Sequence, residues 1–159
     1  MGPAAEEMRD AMARHAAGVA VVAANAAGGY RALTATSLLA VSVDPPLLLV
    51  SLDRLTATRD AIATARAFTV SLLERRQEFL AERFAGWAPV VDPRWREVPH
   101  RVLESGLPAL EGAIAWFDCV VEDLHPAGDH DLVVGRVGAA GTGPGEPLVR
   151  WDRALWSLA

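Results

Sequence analysis

Residues 33–53 restrict the possible folds more than any other part of this chain. Small hydroxyl residues, Thr34-Ala35-Thr36-Ser37, lead to Val41-Ser42-Val43, a short strand candidate, and then to Asp44-Pro45-Pro46. The two prolines fix φ and bring no amide donors, so an extended backbone without ladder bonds is expected there. The apolar run 47–52 follows and reads as a strand covered on both sides. Comparable short runs recur at 19–24, 30–34, 67–73, 113–124, 132–140 and 148–158. Gly28-Gly29 joins the first two as a hairpin, and residues 125–130 and 141–145 read as later turns. Only three segments have helical spacing: 6–17, with Met8, Met12 and His15 on one face, 56–65, and 74–84. The third is expected to bury Phe79, Leu80 and Phe84. Residues 86–108 show no clean period and read as a long loop with short local structure. Strands do not alternate regularly with helices. A mainly β chain with a few helices, folded as one closed antiparallel barrel over residues 1–159, is therefore expected.

Composition removes several function classes. The net charge is −5 and all 15 basic residues are Arg, so a general nucleic-acid or anionic-membrane surface is not expected. The single cysteine, Cys119, lies in an apolar run; it reads as core and fits a reducing cytoplasm. Acidic residues near the start argue against a signal peptide, and no apolar run is long enough to span a bilayer as a helix. Neither a G-x-G-x-x-G nor a Walker-type phosphate motif occurs.

Four constellations bear chemistry, each with a plainer alternative. Thr34, Ala35, Thr36 and Ser37 beside a buried strand suit a flat heterocycle with polar edges, or an ordinary strand end. Ser51, Leu52 and Asp53 precede Thr56 and Thr58 at the start of a helix. Its free amides suit a phosphate, and its hydroxyls also suit simple capping. Arg83 closes the next helix and offers a phosphate-binding fork or a solvated cation. Asp129-His130 sits in the last long hairpin, where a histidine can orient a carboxamide or merely occupy a turn. His125, Asp129, His130 and Asp131 lack a second cluster that would make them a metal site, and none is expected.

Taken in order, these segments resemble the flavin reductase family with the FMN-binding split-barrel fold. The resemblance runs from Met8 to Leu158. It rests on Arg9-Asp10-Ala11-Met12 with Ala17-Gly18-Val19, on Thr34 to Ser37 with Val41 to Leu47, on Phe68 to Leu73 with Gln77 to Phe84, and on Gly128-Asp129-His130 with Gly135-Arg136-Val137. In particular it is similar to reductase components of two-component flavin monooxygenases. The resemblance implies a homodimer with flavin near the subunit interface, and hydride transfer from NADH or NADPH to FMN or FAD. Reduced flavin would pass to a partner monooxygenase. Thr34, Ala35, Thr36, Ser37, Ser51, Leu52 and Asp53 would contact the ring and ribityl chain. Thr56, Thr58 and Arg83 would lie near the phosphate, and His130 near the nicotinamide as the candidate catalytic residue.

The chain departs from the family where relatives often carry aromatics: Leu38 follows Ser37, and Arg150 and Leu155 stand near the end. Trp151 and Trp156 lie beside the last two positions and could substitute for them. Two alternatives follow. One is a flavin-binding split-barrel protein with little or no nicotinamide-dependent activity, acting as a partner-regulated subunit. The other is a cofactor-free interaction barrel marked by its five Trp residues.

Overall fold

The structure is a computed structural model that describes residues 1–85 and 95–158. Its centre is strand β2 (Ala20–Ala26), a run of small apolar residues buried on both faces. Alternation sends Ala20, Val22 and Ala24 into one core and Val19, Val21 and Ala23 into another. The first core is closed by Val50, Leu52, Ile62, Phe68, Val70 and Val133. The second is closed by Leu73, Leu80, Trp95, Leu110 and Leu148.

Around β2 the chain forms a seven-stranded antiparallel sheet. It contains β3 (Gly29–Ala35), β4 (Leu38–Ser42), β5 (Leu47–Asp53), β6 (Ala67–Leu72), β9 (Ala115–Ala127) and β10 (His130–Thr142). The spatial order is β3-β2-β6-β9-β10-β5-β4. The sheet curls so that β3 leads directly into β4 on β5, and Ser37 extends that pair: its hydroxyl donates to the Ser51 carbonyl at 2.8 Å and accepts from the Ser51 amide at 3.1 Å. A smaller sheet joins β1 (Ala17–Gly18), β11 (Leu148–Trp151) and β12 (Ala154–Ser157). A further pair joins β7 (His100–Val102), within the expected long loop, to β8 (Pro108–Leu110), which starts at the loop's last residue. Residues 86–94 of that loop lie outside the described residues.

Several expected boundaries move. Helix α1 spans Pro3–Met12, because Pro3 starts the helix, and residues 17–18 pair with β11 instead of continuing it. Met8 and Met12, expected on a packed face, are exposed. Helix α2 (Ala57–Ala65) is capped by Thr56, whose hydroxyl accepts from the Arg59 amide. Helix α3 begins at Glu78 instead of residue 74, since residues 74–77 form a turn in which the Gln77 side chain accepts from the Glu74 amide. Phe79, expected in the core, faces solvent, whereas Leu80 is buried. Pro45 and Pro46 lie in a turn over residues 43–46, and β4 begins earlier than expected, at Leu38. Strand β5 is not covered on both sides: Leu48, Val50 and Leu52 are buried, while Leu47, Leu49 and Ser51 are half-buried. The last hairpin turns on Gly128 and Asp129 alone, with Gly128 at φ 64°, so β9 and β10 are longer than expected. No helix among the described residues is long and apolar enough to cross a membrane.

The core leaves little room at β10. A Cβ built on Gly135 would lie 2.5 Å from Phe68 Cζ and 3.0 Å from Cys119 Cβ. Phe68 is fully buried and cannot turn aside. Gly135→Ala is expected to cost about 1–3 kcal/mol through overpacking. The melting temperature in a thermal scan should fall by about 3–10 °C.

Candidate functional site

The ends of β3 and β5, the start of α2 and the end of α3 enclose a groove of about 570 Å³. That volume lies within the range of small-molecule and cofactor sites. Thr34, Ala35, Thr36, Ser37, Ser51, Leu52, Asp53, Thr56 and Thr58 all line it, and His130 stands at its edge. Of the expected site residues, only Arg83 is not among those lining it; its neighbours Phe84 and Ala85 are.

The wall is built by hydrogen bonds that use several of these hydroxyls. Thr34 Oγ1 donates to the Ala81 carbonyl at 2.6 Å, which ties β3 to α3. Ser37 is engaged with both polar groups of Ser51. Thr56 Oγ1 caps α2 and donates to the Asp53 carbonyl at 2.9 Å, while an Asp53 carboxylate oxygen accepts from the Leu55 amide at 2.8 Å. The plain capping role of Thr56 is thus real. It coexists with a position on the groove, where the first turn of α2 exposes amides and a partial positive charge.

Beneath this turn lies a charge that sequence inspection left aside. Asp131 on β10 is fully buried. It is bonded to Arg59 Nε in the first turn of α2, and Arg54 Nε stands 3.6 Å from its other oxygen. The bonded carboxylate raises the pKa of the Arg59 guanidinium. The pair pins the groove end of α2 to the sheet. His130 is half-exposed, and its Nδ1 lies 2.7 Å from Asp129 Oδ1. This hydrogen bond holds the Asp129 carboxyl below its usual range. Among the described residues no group of three or more His, Cys, Asp or Glu side chains is arranged to hold a metal. Burial pushes the Cys119 thiol up to about 12, so it is no nucleophile at neutral pH.

Arg31, Ala32, Leu33, Ala57, Phe84 and Ala85 also line the groove. The alanines are the useful part: short side chains let a flat ring approach the backbone. Phe84, expected in the core, packs partly buried against the second core at the end of α3, its ring centroid 5.3 Å from that of Trp95. It supplies an aromatic surface that Leu38 does not.

A side chamber of about 200 Å³ opens beside the groove and shares Thr34, Thr36 and Ala85 with it. Val19, Ala81, Arg150 and Leu155 complete its lining. Trp151 and Trp156 do not replace the aromatics missing here. Trp151 alternates away from Arg150 along β11, stacks under Arg14 at 4.8 Å and meets Trp156 at 5.8 Å.

A flat ring with a short phosphate tail fits this groove, because it combines small side chains, polar backbone edges and a helix N-terminus. The flavin reductase-like domain model matches residues 12–159, nearly the whole chain. This chain belongs to the flavin reductase-like domain family. Within the family it is 38% identical over 154 residues to the reductase component of 4-hydroxyphenylacetate 3-monooxygenase from Thermus thermophilus, covering 96% of each chain. It is 38% identical to an NADH:FMN oxidoreductase from Rhodococcus erythropolis over 86% of this chain and 70% of that one. A probable flavin reductase from Rhizobium meliloti is longer: this chain is 39% identical to it but spans only 42% of its length. Among solved structures, NADH:FAD oxidoreductase SgcE6 from Streptomyces globisporus C-1027 superposes with a TM-score of 0.90 at 29% identity, covering 100% of this chain and 96% of that one. The curled sheet with its Ser37–Ser51 closure is the family's split barrel.

Asp131→Ala should test how far the groove depends on its buried anchor. Breaking the pair while Arg59 stays partly covered is expected to cost about 3 kcal/mol. Chemical denaturation would measure this as a lower midpoint. Flavin affinity should fall with it, because the first turn of α2 loses its tie to β10.

Proposed function

We propose that this chain transfers a hydride from NADH or NADPH to FMN or FAD and supplies the reduced flavin to a partner monooxygenase. The observation that carries the reading is the single groove on which eight hydroxyl, small or acidic residues and Leu52, from the ends of β3 and β5 and the start of α2, converge with His130. The bound flavin supplies the two-electron acceptor chemistry. The protein's tasks are to bind, to orient and to keep one ring face open. Thr34, Ala35, Thr36, Ser37, Ser51, Leu52 and Asp53 would hold the ring and ribityl chain through backbone groups and remaining lone pairs. Thr56 and Thr58 would place the phosphate at the start of α2. Arg83 remains a candidate only for a phosphate reached from beyond the wall that Phe84 forms.

His130, fixed by Asp129, would position the nicotinamide at the groove edge. No proton needs to be removed for the hydride to move, so the residue is not required as a base. The NADH:FMN and NADH:FAD oxidoreductases among its relatives support the choice of cofactors, and the monooxygenase reductase component supports the partner.

A homodimer fits the surface. Leu39, Leu47, Leu49, Val134 and Val120 share the outer face of β4, β5, β10 and β9, and Leu39 and Val120 are more than half exposed. Ser51 continues the same face of β5 into the groove. A second copy seated on this apolar face would therefore lie against the flavin site. The two cores share β2, which supports a single domain, and the buried reduced thiol fits a cytoplasmic protein.

Steady-state oxidation of NADH and NADPH with added FMN or FAD tests the reading directly. Flavin-dependent turnover with at least one donor is expected. Its absence with both donors, despite flavin binding, would favour a binding subunit of the same fold. His130→Ala should raise the Michaelis constant for the nicotinamide donor by about tenfold, the loss expected for one polar contact. The flavin dissociation constant, read from fluorescence quenching, should change less than twofold (roughly 0.4 kcal/mol).

A further inference from the structure

We infer that Arg150 binds the diphosphate of the nicotinamide donor in the chamber beside the flavin groove. The inference rests on the reading of that groove as the site of flavin reduction. Strand β11 is the middle strand of its sheet, with Arg150 facing Ala17 on one side and Leu155 on the other. Its backbone position is therefore fixed from both edges. Leu148, two residues earlier, is buried in the second core, so alternation directs Arg150 to that same side, over the chamber.

The chamber's remaining lining is apolar or hydroxyl: Val19, Ala81, Ala85 and Leu155 with Thr34 and Thr36. A planar guanidinium beside two hydroxyls on an otherwise apolar wall suits a phosphate group. Location supplies the rest. The flavin phosphate belongs at the start of α2, at Thr56 and Thr58, whereas the chamber opens at Thr34 and Thr36, on the ring-binding wall of β3. A donor stacked on the ring and reaching past this wall brings its diphosphate, not its ring, to Arg150. Both NADH and NADPH carry that diphosphate, so the residue serves donor affinity in general and not the choice between them.

The test compares wild type, Arg150→Ala and Arg150→Lys with NADH, NADPH and the phosphate-free donor 1-benzyl-1,4-dihydronicotinamide. Flavin and NAD⁺ dissociation constants are measured separately by fluorescence titration. Arg150→Ala should raise the Michaelis constants for NADH and NADPH, and the NAD⁺ dissociation constant, by about tenfold or more, the range for a lost charge-assisted contact. The efficiency ratio of NADH to the phosphate-free donor should fall by the same factor. Arg150→Lys should recover part of the loss, and the flavin constant should remain within about twofold. An equal loss with the phosphate-free donor, a loss confined to NADPH, or no loss at all would overturn the inference while leaving flavin reduction intact. Wild-type protein that turns over no donor would instead overturn the reductase reading, and the inference with it.

Discussion

Everything in this fold is hung on one strand that has no exposed face. From Ala20 to Ala24 strand β2 is built from Ala and Val because both of its sides must meet other elements closely, the sheet interior and α2 on one side, α3 and the β11 region on the other. Larger side chains would separate these layers, and a polar one would be stranded without a partner. The two cores therefore cannot move independently: a shift of α3 is felt at β3 through Thr34, and a shift of β10 is felt at α2 through Asp131.

The groove follows from this arrangement. It forms where β3 leaves β2 and curls against β5, so its walls come from strand ends that are rigid at their roots. The Ser37–Ser51 closure and the Thr56 cap show why hydroxyl residues gather there. They satisfy backbone groups that the interrupted ladder leaves open, and in doing so they place amides and small side chains at the surface. Structure and binding are thus not competing explanations for Thr34, Ser37 or Thr56. The same residues shape the wall and make it receptive.

This double role explains what was legible in the sequence. Local chemistry pointed to the groove residues because strand ends, a capped helix and a His-containing hairpin each leave a mark of their own, and their common location followed from the order in which the family arranges them. The long strands, the cap at Thr56 and the burial of Cys119 were readable for the same reason. Asp131 was not, because its partner Arg59 is 72 residues away and nothing local distinguishes it from a turn aspartate. Phe79 was misplaced because α3 is short and turns only Leu80 and Ala81 fully into the core, while Phe84 packs against its edge as its spacing suggests. Met8 and Met12 have helical spacing, but among the described residues α1 buries none of its side chains. The chamber at Arg150 needs β11 to lie between β1 and β12, a pairing that joins the two ends of the chain and leaves no periodic trace.

The distribution of charge around the site bears on how the flavin is held. Arg59 is committed to Asp131, and Arg54 leans on the same carboxylate. Arg31 lines the groove from β3, where its guanidinium donates to the Tyr30 carbonyl. On the proposed reading the phosphate end would be served by the partial charge of a nine-residue helix, by hydroxyls already bonded to the chain and, from beyond Phe84, by Arg83. Such an end contributes modestly to affinity, about 0.3–1 kcal/mol from the helix dipole at an exposed site. A protein that must hand its reduced product to another enzyme gains from that economy: the ring is oriented by a rigid wall, while release breaks no deeply buried ion pair. On that reading the guanidinium of Arg150 stands on the opposite side, in the chamber at Thr34 and Thr36. Specific recognition there concerns a molecule that binds and leaves in every cycle.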